Sequence, residues 1–89
     1  MRAVVTVIGK DAVGILAKVS TKCAEHNANV IEVTQSVLQE LFAMIILVDI
    51  TKLSGDFASL SDDLTALGES MGLKIHTMHE DIFNCMHHI

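Results

Sequence analysis

The stretch Ile8-Gly9-Lys10-Asp11-Ala12-Val13-Gly14-Ile15-Leu16 decides how this chain is read. It joins an apolar run, Ala3 to Ile8, to an amphipathic run, Ile15 to Ala24, so it predicts a strand handing over to a helix. Asp11 is the expected helix N-cap, because its carboxylate can accept from an N–H two or three residues on. Gly14 is expected in the first helical turn, where alanine would favour the helix by roughly 1 kcal/mol. A glycine there makes sense where something must come close to the backbone. The first N–H groups of a helix have no internal partner, and the helix dipole adds positive potential. Such a corner can hold a small anion, for example the carboxylate of an amino acid. A plain capped strand-to-helix turn accounts for the same residues.

Outward from this corner, Arg2 to Ile8 reads as an interior strand, apolar on nearly both faces. Ile15, Leu16, Val19 and Cys23 recur at helical spacing, with Lys18, Lys22 and Glu25 turned to water, in a helix of about 15 residues. His26-Asn27-Ala28-Asn29 ends it, asparagine being tolerated in a left-handed C-terminal position. Val30 to Leu38 is a second strand, with Ile31, Val33 and Val37 alternating with Glu32, Thr34 and Ser36, so one buried face and one wetter face are expected. Gln39-Glu40 is the turn, without the Asn-Gly signature of a tight hairpin. Leu41 to Ile50 is the third strand, apolar enough for the middle of a sheet.

Ser54 or Asp56 can cap a second helix that runs to about Met71, with Phe57, Leu60, Leu64, Leu67 and Met71 along one face. Gly72 is a stop signal. Leu73 to His79 alternates as a fourth strand, and Glu80 to Ile89 forms a short last helix with an Ile82, Phe83, Met86, Ile89 stripe. The order βαββαβ predicts an α+β, ferredoxin-like sandwich: a four-stranded antiparallel sheet, order 4-1-3-2, with two helices on one face plus a short C-terminal helix. Residues 1–89 are expected to form one domain, a 1–79 core and an 80–89 tail.

The composition narrows the function. The chain has 89 residues, of which 51% are hydrophobic, and its mean hydropathy is +0.48. That is more apolar material than a small core readily hides, which predicts a shared apolar face, most simply a homodimer. The longest strictly apolar run, Leu41 to Val48, is far short of the roughly 20 residues of a membrane span. The start of the chain lacks the features of a signal peptide. Cys23 and Cys85 are expected to be reduced thiols, in keeping with a cytoplasmic location. A net charge of −5, scattered Lys and Arg, and no Trp or Tyr argue against direct nucleic-acid binding.

Rival chemistries find little support. His76 and His79 fall on opposite faces of a strand, and His87 and His88 diverge on a helix, while Cys85 and His88 could meet at i,i+3. No metal site and no cofactor are expected. Cys23 lies on the apolar face of its helix, as inert packing. Glu32 and the Asp62-Asp63 pair have no visible partner, so catalysis is not expected.

The element order, together with Gly9-Lys10-Asp11-Ala12-Val13-Gly14-Ile15-Leu16 and the later Asn29-Val30-Ile31, resembles the ACT domain family from Met1 to about His79. The nearest likeness is to small stand-alone ACT proteins related to the ACT halves of the glycine-cleavage-system transcriptional repressor. The resemblance implies a regulatory fold that dimerises and in many members binds an amino acid at an interface between two units. Asp11 matches the family's first-loop acidic or amide position, and Gly14 matches its glycine. Asn29 matches the asparagine that approaches the ligand from the neighbouring subunit. Ala12 and Val13 stand where many members carry Arg and Pro.

The chemistry is consistent with that implication. Backbone N–H groups at Val13, Gly14 and Ile15 can take a carboxylate, and the Asp11 carboxylate and Asn29 side-chain oxygen can take an ammonium group. Asp11 as a structural cap and Asn29 as a plain turn residue are the competing assignments. The expected ligand-binding set is therefore Asp11, Ala12, Val13, Gly14, Ile15 and Asn29. The expected function is a non-catalytic, homodimeric amino-acid sensor acting on a partner protein. The alternative is a ligand-free dimerisation or adaptor domain.

Overall fold

Alternation along β1 (Arg2–Lys10) sets the interior: Ala3, Val5 and Val7 have no exposed surface. β1 pairs antiparallel with β3 (Leu41–Asp49), Val5 opposite Ile46, and there Phe42, Met44, Ile46 and Val48 turn to the same side. β4 (Lys74–His79) pairs antiparallel on the other flank of β1, and β2 (Asn29–Leu38) lies outside β3. The order is β2-β3-β1-β4, which is the 4-1-3-2 order the sequence predicts. In the computed structural model residues 1–10 and 14–87 are described. α1 (Ile15–Glu25) and α2 (Phe57–Met71) close the buried side with Val19, Cys23, Leu60 and Leu64, all fully buried in one core cluster with the sheet residues.

Local chemistry sets where these helices end. The Asp56 carboxylate accepts from the Ser59 N–H at 2.9 Å and caps α2. At its other end Gly72 takes φ 72°, and Leu73 N–H bonds back to Gly68 O at 2.8 Å, which aims the buried Leu73 into the core. α1 ends in the same way, with Asn27 at φ 61° and Ala28 N–H on Cys23 O at 2.8 Å. The His26 ring Nε2 meets Asp63 Oδ2 at 2.6 Å, tying the end of α1 to α2. α3 (Glu80–His87) follows β4 directly, its start held by Arg2 on Glu80 at 2.8 Å.

Three expectations are corrected. α1 begins at Ile15 with Gly14, at φ 79°, as its capping residue. Asp11 is therefore not the residue next to the helix, and it lies outside the described residues, as do Ala12 and Val13. β2 has no buried face over residues 31–37, because it is the edge strand and only its start, at Val30, packs against the core, and a bulge between Val30 and Glu32 breaks its alternation at Ile31. Asp63 is not simply solvated, since it has His26.

Two outcomes follow. A Cβ on Gly68 would stand 2.8 Å from Ile75 Cγ1 and 3.0 Å from the Leu73 carbonyl oxygen. Gly68→Ala should therefore push α2 off β4 and cost about 1–3 kcal/mol in urea denaturation. The hydrogen bond from His26 holds the Asp63 carboxyl below the usual carboxylate range. A lowered folded-state value means this contribution is present above the unfolded value of about 3.9 and is lost as pH falls through the folded one. The stability gap between the parent chain and Asp63→Asn should be widest above about pH 4 and close on acidification.

Candidate functional site

The hand-over from β1 to α1 sits at one end of the sheet. Gly14 is exposed, and a Cβ added to it would meet nothing within 4 Å. Its glycine is needed for the left-handed backbone and not for packing, and the space in front of it is open. As the capping residue it brings no side chain to the first N–H groups of α1. Ile15 is buried in the core, so only its backbone N–H remains to serve a ligand.

Register brings further groups to this end. Lys10 pairs with Leu41, and Leu41 with Leu38 across the turn in which Gln39 takes φ 57°. A cleft of about 710 Å³ opens here, lined by Lys10, Gln35, Val37, Gln39, Glu40 and Phe42. It holds an ammonium group, a carboxylate and two amides above apolar walls. Both ends of a zwitterion can be met by such a set. The sequence reading missed Gln35, Gln39 and Glu40. Gln39 and Glu40 signal only polarity at a turn, Gln35 is one polar residue of a strand, and pairing of β2 with β3 is what carries them to Lys10.

Asn29 is at the other end. It opens β2 opposite Asp49, which in turn pairs with Arg2. The eight steps from Arg2 to Lys10 span about 26 Å at strand rise. One chain therefore does not bring Asn29 to Gly14. Asn29 instead lines a depression of about 350 Å³ with Asn27, Asp49, Thr51 and Lys52. There the Thr51 hydroxyl and N–H hold the Asp49 carboxyl below the usual carboxylate range, the N–H at 2.8 Å.

The rival chemistries can be placed as well. Cys23 is fully buried, and burial pushes its thiol up to about 11. Cys85 is exposed. His76 is exposed on one face of β4, while His79 stacks on Phe57 on the other, ring centroids 4.2 Å apart. Among the described residues no three His, Cys, Asp or Glu side chains converge to hold a metal ion. Nor, among them, is any helix long and apolar enough to cross a membrane.

Comparison with known proteins agrees with this fold. A family model described as an ACT domain matches residues 2–78. A UPF0237 protein of Methanocaldococcus jannaschii is 48% identical over 88 residues, covering 99% of this chain and 98% of that protein. The structure of an ACT domain protein from Streptococcus pneumoniae superposes with a TM-score of 0.79 at 38% identity, over 93% of both chains. A structure titled as a glycine cleavage system transcriptional repressor, assigned as putative, shares the fold with a TM-score of 0.66 at 22% identity, over 85% of this chain and 43% of that one.

The open space at Gly14 makes a clean test of its backbone role. Gly14→Ala should cost about 1–2 kcal/mol, the left-handed penalty alone. Gly14→Asn should recover part of that loss, with the slope of the denaturation curve unchanged.

Proposed function

Because this chain belongs to the ACT domain family, whose members are regulatory ligand-binding modules, we propose that it is a non-catalytic sensor of an amino acid bound at a homodimer interface. The observation that carries the reading is the bare edge of β2. Residues 31–37 are all exposed, and Ile31, Val33 and Val37 are 47%, 37% and 65% exposed. An edge strand with apolar side chains is a template for pairing. Two copies joined antiparallel along β2, about a twofold axis near its middle, would set Asn29 of one opposite Gln39 of the other. Asn29 would thereby reach the Gly14 end of its partner, which a single chain cannot achieve.

Surface area supports a shared face. The accessible surface is 5688 Å², against about 5,100 Å² for a folded monomer of this mass. The ligand's carboxylate would lie on the N–H groups around Gly14 and Ile15, with Lys10 beside it. Its ammonium group would face Glu40 and the partner's Asn29 oxygen. Asp11, Ala12 and Val13 complete the loop in this reading. Residues 1–79 would act as one regulatory core with an 80–89 tail, in the cytoplasm, and occupancy would change the affinity for a partner protein.

Light scattering should give the mass of a dimer. Val37→Lys should weaken dimerisation at least about tenfold, the loss of one half-buried valine at an interface. A thermal-shift series over the twenty amino acids at millimolar concentration should show stabilisation by one or a few of them. That shift should vanish in Asn29→Ala without loss of the dimer. A dimer that no amino acid stabilises would instead favour the ligand-free adaptor reading, for which Ala12 and Val13 in place of Arg and Pro already speak.

A further inference from the structure

α3 covers only part of the sheet face turned away from α1 and α2. Val4 points to that face and is 3% exposed, although it stands outside the main core cluster. Ile8, on the same face of β1, is 47% exposed. Thr6 lies between them, in a cross-strand row with Ile45 of β3 and His76 of β4. Phe83 of α3 stands beside this row and walls a cavity of about 410 Å³ whose floor includes Thr6, Ile8, Ala43 and Ile45, with His76 and Met78 along β4. That volume falls within the roughly 300–1,000 Å³ of small-molecule pockets, which pair carbon-lined walls with a few placed polar groups. Here those groups are the Thr6 hydroxyl and the His76 imidazole.

Charge distinguishes the ends of this groove. Lys74 precedes His76 on the same face of β4 and pairs with Ile8. Lys74 gives this edge one positive charge in a chain of net charge −5. On that face Glu32 lies on β2, at the opposite edge of the sheet, Asp49 lies at the Arg2 end of β3, and Glu80 is held by Arg2. The geometry points to a second ligand site here, for an amphipathic carboxylate. A medium-chain alkyl or aryl tail lies against Ile8, Ile45, Met78 and Phe83, and the carboxylate lies at the β4 edge toward His76 and Lys74. A flat second sheet does not fit the same place, because α3 stands off this face by a helix diameter of about 10 Å. The groove is separate from the cleft at the turn of Gln39, whose Val37 and Phe42 belong to the helix-covered side.

The test is titration of the full chain with sodium octanoate and with 3-phenylpropionate, followed by amide NMR shifts. Saturable shifts are expected at Thr6, Ile8, Ala43, Ile45 and His76, with Gly14 and Asn29 unmoved. Octanol in place of octanoate, or Lys74→Gln, should weaken binding about tenfold. Ala43→Phe should fill the groove and abolish it, and Ile8→Gln serves the same end should Ala43→Phe not fold. No saturable shift at millimolar octanoate would overturn the proposal. So would equal binding of octanol, or a groove protected in a larger species by a second copy of the chain.

Discussion

Burial of a single face of the β1–β3 pair is the constraint on which the rest of this molecule depends. Val5 opposite Ile46, with Ala3, Val7, Met44 and Val48 around them, makes a strip with almost no exposed surface. Side chains alternate along a strand, so this strip commits every other residue to the opposite side. The helices can satisfy only one side. Val19, Cys23, Leu60 and Leu64 do so completely. What is left over is a second face, roofed in part by α3, and an edge strand that is bare over residues 31–37.

These leftovers hold the openings of the molecule. A core built from Val5, Ile46, Leu60 and Leu64 leaves no room for a ligand and no unpaired charge for chemistry, since no polar residue is fully buried among the described ones. Openings lie at the turn of Gln39 and on the sheet face beside Phe83, and the space at Gly14 is also open. A corner of this kind is cheap to vary. Changing Lys10 or Glu40 alters what a ligand meets without touching the strip that holds the strands together. The scaffold and its recognition surfaces are in this sense energetically separate.

Small polar contacts tie the start of β1 to the loop after β3 and to the start of α3. The α-ammonium group of Met1 donates to Thr51 Oγ1 at 2.9 Å, and Arg2 holds Glu80. Exposed pairs of this type add little stability. The Arg2–Glu80 pair ties the start of α3 to the start of β1.

Much of the fold was legible in the sequence because its signals are periodic. Phe57, Leu60, Leu64, Leu67 and Met71 marked α2 within its observed bounds, and Gly72 ended it. Asn27 took the left-handed position that its side chain tolerates. The apolar weight of Leu41 to Val48 placed β3 inside the sheet, and the βαββαβ order was enough to predict strand order 4-1-3-2. The candidate site was legible only in part. The glycine corner was visible, but Gly14 turned out to cap the helix itself. Alternation in β2 suggested a buried face, yet alternation cannot tell whether a helix lies above it. Asp63 found His26, 37 positions away. Lys10, Gln35 and Glu40 came together through strand register. The sequence by itself determined the elements, their order and the residues that must be hidden, because those follow from periodicity and from chemistry within a few residues. Only the tertiary structure decided which strand stays bare, which polar groups share a cleft and how far α3 shades the sheet. Those depend on distances between segments remote in the chain, which no local pattern encodes.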